Sequence, residues 1–354
     1  MADYALLLLP SANRVYTTAA RELAAAELAV LTTALALTVT DVRPDTLAGV
    51  DYLLFSSPDL DDRAVRPLGN LSAAHAMFEQ QAPDRLRPVP MSRLDRYDDD
   101  LITILKYPGK TNEQFTKLLL NVTAASCAAG REMVDRPLSV LDPMCGRGTT
   151  LNQALMYGWS CAGVDIDRRD FDSYATFLRT WLERKRLKHS LTVESVRRDR
   201  HVIARRMHAV TAPTKSEWDN GVKQEVTMFN ADTTQVPDLL RRQRFDVVVA
   251  DLPYGVQHGS RRADAGIARN PTTLLEAALP GWLSVLKPGG AVGLSWNANV
   301  APRSALLDTL SSAGLEVLDS PPYDGFQHRV DNAIVRDLIV AVSRAASPAA
   351  RTSQ

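Results

Sequence analysis

Apolar and polar positions in the first eighty residues alternate between strand-like and helix-like spacing. Tyr4 to Leu9 is a short apolar run that predicts a strand. Thr17 to Leu31 is rich in Ala, Leu and Glu, carries Arg21, Glu22 and Glu27, and predicts a helix. Leu35 to Val42 and Val50 to Ser56 are β-branched and apolar and predict strands, and Leu71 to Gln81 predicts a second helix. Strand, helix, strand, strand, helix is half of a ferredoxin-like sandwich, or of a close relative. Pro83, Pro88, Pro90 and the acidic run Asp98 to Asp100 follow, so the boundary is placed there. Residues 1–100 are expected to form an N-terminal α/β domain and residues 101–345 a second domain.

The second part begins with a helix over Thr111 to Ala129, whose apolar residues recur at Phe115, Leu118, Leu119, Val122 and Ala125. Strands and helices then alternate. Strands are predicted at Leu138–Leu141, Ser160–Val164, Val226–Phe229, Phe245–Ala250, Ala291–Ser295 and Ile334–Val342. Helices are predicted at Thr150–Tyr157, Leu274–Leu286 and Ala301–Ala313. That alternation predicts an α/β fold with a doubly wound parallel sheet. About sixty residues separate the second and third of these strands, where a crossover needs about 10–15 residues. The excess, at about residues 179–220, is expected to be a helical insertion. Residues 346–354 are small and polar and are expected to form a flexible tail.

Charge sharpens this division. The chain has 354 residues with 41 basic and 41 acidic side chains, hence a formal net charge of zero. Residues 1–100 hold 9 Lys/Arg against 15 Asp/Glu, while residues 179–215 hold 11 against 3. One basic segment in a neutral chain is either a solvated surface or a contact with the phosphates of a nucleic acid. Arg197 and Arg198 are the contact candidates. No apolar run reaches the ~18–20 residues of a membrane span. Three cysteines and no basic leader point to the cytoplasm, and Cys/His metal-ligand spacing is absent. The sequence sets no oligomeric state.

The first chemical constellation is the run from Leu141 to Thr150, at the carboxyl end of the predicted strand Leu138–Leu141. Ligands of open α/β sheets bind at such strand ends. Gly146 and Gly148 allow close backbone approach. Neither G-x-G-x-x-G nor a P-loop is present, and Asp142 ahead of the glycines argues against phosphate. Asp165 lies 23 residues on, where a carboxylate can accept ribose hydroxyls, and Asp232 follows the third strand, where it could meet an adenine amino group. Three acids with a glycine turn suit S-adenosylmethionine, which is cationic, ribose-bearing and free of phosphate. Met144 and Thr149 complete the expected cofactor loop, and Cys145 is expected to pack in its turn.

The second constellation is Asp251-Leu252-Pro253-Tyr254, after the predicted strand Phe245–Ala250. A carboxylate acceptor beside an aromatic held by proline suits an amino group on a planar ring. The acceptor orients the amine, and the ring stacks on the base for about 1–3 kcal/mol. His258 and Arg261 follow in a glycine-containing loop that either contacts substrate phosphate or is simply solvated. Core packing is expected for Trp296.

Asp142 to Thr149 resembles motif I of class I methyltransferases, and Asp251 to Tyr254 resembles the (Asp/Asn)-Pro-Pro-(Tyr/Phe) motif of amino-methyltransferases. With Lys106-Tyr107-Pro108-Gly109-Lys110 upstream, the chain resembles the THUMP-linked tRNA guanine-N2 methyltransferases over roughly residues 104–343. Leu252 stands where the first Pro of the motif is usual, and residues 1–100 are too few for a ferredoxin-like unit and a THUMP module together. The resemblance implies a Rossmann-like sheet with an antiparallel last strand and S-adenosylmethionine as cofactor. It implies a backbone carbonyl contribution at Leu252, Lys110 on the substrate side, and no metal. It also implies methylation of an exocyclic amine, guanine N2 in tRNA or another structured RNA. A DNA adenine-N6 methyltransferase and an N-methyltransferase of proteins or small molecules share the same motifs.

Overall fold

A computed structural model of the chain describes residues 1–11, 14–58, 60–82, 85–104, 110–254 and 271–344. The N-terminal unit runs β1 (Ala2–Leu8), α1 (Arg14–Leu35), β2 (Thr40–Leu47), β3 (Val50–Ser57), α2 (Asp62–Leu68), β4 (Ala74–Ala82), β5 (Arg85–Val89). Its antiparallel sheet has the order β2-β3-β1-β4-β5. The first four strands and two helices reproduce the ferredoxin-like β-α-β-β-α-β unit, and β5 extends its edge. Tyr16, Ala20, Leu23, Leu28 and Leu31 form the buried stripe of α1.

Here the structure corrects one expectation. Residues 71–81 are not a helix. The second helix is α2, started by the Asp61 side chain accepting from the Ala64 N–H at 2.8 Å and stopped at Gly69-Asn70. The segment after it pairs with β1 as β4, with Ala5 opposite Phe78 and Leu6 opposite Met77. Burying Ala74 and Met77 under α1 outweighs the helical propensity of its alanines.

The second unit continues with α3 (Asp100–Thr103), α4 (Glu113–Ser126), β6 (Ser139–Asp142), α5 (Thr149–Met156), β7 (Ser160–Asp165) and α6 (Arg168–Arg184). Then follow β8 (His189–Arg198), β9 (His201–Thr211), α7 (Lys215–Asp219), β10 (Gln224–Asn230), α8 (Val236–Leu240), β11 (Phe245–Asp251), α9 (Pro271–Val285) and β12 (Leu286–Asn297). The last elements are α10 (Arg303–Ser312), β13 (Glu316–Leu318), β14 (His328–Arg329) and β15 (Val335–Val342). The sheet order is β13-β15-β12-β11-β6-β7-β10-β9-β8, with β14 paired to β15. Neighbouring strands from β10 to β12 run parallel, and β15 runs antiparallel to β12, as the resemblance implies. β11 is buried along nearly its whole length, which explains its continuous apolar run. The chain reverses direction across the sheet at β6, between β7 and β11, and a ligand crevice opens at such a switch point.

The basic insertion is a second correction. It is a β-hairpin, not a helix: β8 and β9 pair antiparallel from His189↔Thr211 to Arg198↔His201. Asp199 and Arg200 both have positive φ, +48° and +69°, the geometry of a two-residue hairpin turn that suits strand twist. The crossover helix itself is α6. The hairpin extends the sheet beyond β10.

The two sheets share one core. It runs from Leu23 and Leu28 in α1 to Phe115, Leu118 and Val122 in α4. Glu27, fully buried, accepts from the Ser72 N–H at 3.0 Å and from Asn121 Nδ2 at 2.7 Å. Burial pushes the Glu27 carboxyl up, and those hydrogen bonds oppose the shift. Among the described residues, no helix is long and apolar enough to cross a membrane.

Candidate active site

The loop expected to hold the cofactor joins β6 to α5; Gly148 in it and Asp165 at the end of β7 stand behind the cavity it lines rather than in its wall. β6 ends at Asp142, and the chain turns through Gly146 (φ +50°) and Gly148 (φ +78°) into α5. A Cβ on Gly148 would meet the Tyr174 ring at 2.5 Å, so glycine is required there by both φ and space. The Gly146 N–H donates to Asp165 Oδ2 at 2.7 Å, tying the loop to the end of β7. The Met144 N–H donates to Asp142 Oδ1 at 3.1 Å. Burial raises the Asp142 carboxyl to about 7 and the Asp165 carboxyl to about 6. Buried acids raised for want of a counter-charge are matched by a cationic ligand. Asp142, Met144, Gly146 and Thr149 line a cavity of about 380 Å³ with Asp251, Pro253 and Tyr254.

The target side of that cavity is assembled from distant segments. Asp251, at the end of β11, accepts from three hydroxyls: Thr111 Oγ1 at 2.6 Å, Ser295 and Tyr254. The Tyr254 hydroxyl in turn accepts from Arg336 Nε at 2.6 Å. Arg336 is 4% exposed and its guanidinium stands 4.4 Å over the Phe115 ring. The Tyr254 hydroxyl is therefore held from two sides, by Asp251 and Arg336, and the residue lines the cavity. The Leu252 N–H donates to the Ser295 carbonyl at 2.8 Å, a bond proline cannot make, and its side chain is buried. That accounts physically for Leu at the position where the related motif carries Pro. Asn297 Nδ2 reaches the Tyr254 carbonyl at 3.5 Å, and its Oδ1 accepts from the Val335 N–H at 3.1 Å.

Several expected site residues lie elsewhere. Asp232 caps the turn Thr233–Gln235, accepting from the Thr234 N–H at 2.8 Å, and does not line this cavity. Lys110 donates to the Ile102 carbonyl at 2.8 Å and pairs with Glu113 at 2.6 Å. Arg198, near the hairpin tip, pairs with Asp238 at 2.7 Å, while Arg197 beside it is exposed. His258, Arg261, Arg262, Lys106 to Gly109 and the tail 346–354 lie outside the described residues. Trp296 is fully buried, with its indole N–H on the Ala301 carbonyl at 2.9 Å. Cys127, Cys145 and Cys161 are buried free thiols.

The sequence pattern does not single out Thr111, Ser295 and Arg336 as partners of Asp251 and Tyr254. Ser295 alone carried a usable signal, because it ends a predicted strand beside Asp251 in the sheet. Arg336 sits inside an apolar strand pattern and gave none. Among the described residues no group of three His, Cys, Asp or Glu could hold a metal ion.

Residues 115–289 match the methyltransferase domain described as RMKL-like, of the UPF0020 family. No curated protein matches the chain. Similar solved structures include TrmN from Thermus thermophilus, 13% identical with a TM-score of 0.42, covering 97% of this chain and 100% of that one. A methyltransferase homolog protein from Pyrococcus horikoshii is 12% identical with a TM-score of 0.38, covering 97% and 87%. The N-methyltransferase NodS from Bradyrhizobium japonicum is 12% identical with a TM-score of 0.39, covering 65% and 95%. With the matched domain, the seven-strand core of its sheet and a cation-suited loop at the switch point, the chain is an S-adenosylmethionine-dependent methyltransferase with a Rossmann-like fold.

Proposed function

We propose that the enzyme methylates an exocyclic amine of a nucleobase, guanine N2 in a structured RNA such as tRNA. The observation that carries this reading is the meeting of Asp251 and Tyr254 in one cavity with the cofactor loop. S-adenosylmethionine supplies an electrophilic methyl group; Asp142, Met144, Gly146, Thr149 and Asp165 are the residues that would hold it. Asp251 accepts an N–H of the amine and aims the nitrogen lone pair, and Tyr254 and Pro253 pack against the base. The methyl group that the cofactor would supply would be taken up by this lone pair. The positive charge that develops on nitrogen faces the Asp251 carboxylate, and loss of one proton restores a neutral amine. Positioning and electrostatics supply the rate.

The basic hairpin supports a nucleic-acid substrate. Arg197 and Arg200 are exposed near its tip, with no salt bridge among the described residues. Replacing both with Ala should weaken RNA binding and lower the slope of log K against log salt by up to about 0.9 for each phosphate no longer neutralised. An unchanged slope would return the hairpin to a solvated surface.

The deciding experiment offers tritiated S-adenosylmethionine and the purified enzyme separate pools of tRNA, rRNA, genomic DNA and small molecules from cells lacking the gene. Label in N2-methylguanosine from RNA is the expected result. Label only in DNA or in small molecules would overturn the substrate.

A further inference from the structure

Arg147 stands between Gly146 and Gly148 in the loop that joins β6 to α5. The backbone on either side of it is fixed: the Cys145 N–H donates to the Val164 carbonyl at 3.0 Å, and the Gly148 N–H donates to the Cys145 carbonyl at 2.7 Å. Its side chain is fixed as well, because Nε donates at 2.7 Å to Oδ1 of Asp170, in the first turn of α6. Both side chains are 29% exposed, and an ion pair that open to water adds little to stability. The pair therefore places the guanidinium more than it holds the fold. Among the described residues that line the catalytic cavity, Arg147 is the one with a cationic side chain, while Asp142, Asp170 and Asp251 carry the opposite charge.

S-adenosylmethionine carries two cationic centres, the sulfonium and the α-ammonium, and one anion, the α-carboxylate. The sulfonium has to reach the wall that Asp251 and Tyr254 share, because the methyl group leaves from it. The amino-acid arm is attached to the same sulfur, so its carboxylate enters the same cavity. The wall matches this set of charges, with acids for the cationic centres and one guanidinium for the anion. Without Arg147 the carboxylate would meet only like charge there. An arginine fork takes a carboxylate through two parallel N–H···O bonds.

We propose that Arg147 binds the α-carboxylate of S-adenosylmethionine and so selects for ligands that carry the amino-acid arm. Asp170 is its positioning partner. The proposal follows from the S-adenosylmethionine dependence of the enzyme and is independent of which amine is methylated.

The test is calorimetry of the full chain with three ligands. They are S-adenosylhomocysteine, its decarboxylated analogue, which keeps the amine, and 5′-methylthioadenosine, which lacks the arm. The wild-type enzyme should bind S-adenosylhomocysteine about tenfold or more tightly than the decarboxylated analogue, in the range of a hydrogen bond to a charged group. Arg147→Met should abolish that preference by weakening S-adenosylhomocysteine alone, leaving the other two ligands within about twofold of wild type. Arg147→Lys keeps the charge without the fork and should retain part of the preference. Asp170→Asn leaves the guanidinium in the cavity and should retain most of it. An equal loss for all three ligands in Arg147→Met, matched by Asp170→Asn, would mean that the pair only braces the loop and would overturn the proposal. Unchanged affinity for S-adenosylhomocysteine in Arg147→Met would overturn it as well. Should Arg147→Met fail to fold, Arg147→Lys and the wild-type comparison carry the test, and a wild-type enzyme indifferent to the carboxylate overturns the proposal by itself.

Discussion

The two walls of the catalytic cavity are built in opposite ways. The cofactor wall is one continuous turn, Asp142 to Thr149, tied to the neighbouring strand β7 by the Gly146 N–H on Asp165 and the Cys145 N–H on the Val164 carbonyl. The target wall draws Thr111, Asp251, Ser295 and Arg336 from four separate segments, and its hydrogen bonds span up to 140 residues of sequence. The first wall is set by backbone conformation, which nearby residues decide. The second is set by packing of α4, β11, β12 and β15, which no short segment can decide. The cofactor wall should therefore fail through strain and charge, and the target wall through lost orientation.

The largest effect should come from Asp251→Ala. Turnover should fall by about 10³-fold, in the range seen when a transition-state hydrogen-bonding group is removed. Cofactor affinity should stay within about twofold. Single-turnover kinetics and calorimetry separate the two, and wild-type turnover would take Asp251 out of the reaction. Gly148→Ala should come next, on the other wall. A positive φ without glycine and a Cβ driven into Tyr174 should together cost about 2–4 kcal/mol of stability. Denaturant unfolding reads it directly, and a loss below about 0.5 kcal/mol would mean the turn is not strained.

Arg336→Met tests whether orientation alone matters on the target wall. The Tyr254 hydroxyl would lose its donor, and kcat should drop about tenfold, equivalent to roughly 1.4 kcal/mol. Cofactor affinity should hold. An equal fall in cofactor affinity would show that the walls are coupled and would break the contrast.

A further expectation concerns pH. Asp142, at about 7, and Asp165, at about 6, are raised in the folded protein by burial. Each binds its proton more tightly folded than unfolded, so stability is greatest below the unfolded value near 4 and falls as pH rises towards 7. The cofactor-free enzyme should unfold more easily at pH 7 than at pH 5, and Asp142→Asn should flatten that decline. A decline just as steep in that variant would assign the titration to other groups.

The alternating strand and helix pattern was enough to place every parallel strand of the large sheet, because buried strands leave continuous apolar runs such as Phe245 to Ala250. Local chemistry also put Asp142, Gly146, Asp251 and Tyr254 at the ends of those strands, where the structure has them. Two local readings failed where pairing overrode propensity. Residues 74–82 became a strand because β1 offered them a partner. The basic segment became a hairpin because β10 left an open edge for β9.

What the sequence determined by itself is what neighbouring residues control: the periodicity of each strand, the glycine turn that admits a ligand, and the acidic and aromatic residues of the two motifs. What only the tertiary structure decided is which distant side chains meet. Arg336 stands beside Asp337 in an otherwise apolar strand in the sequence. In the fold it lies against Phe115 and bonds Tyr254. Those contacts exist because α4 and β15 close around β11 and β12, and that closure is driven by burial of apolar surface across the whole domain. No spacing within a single segment encodes it.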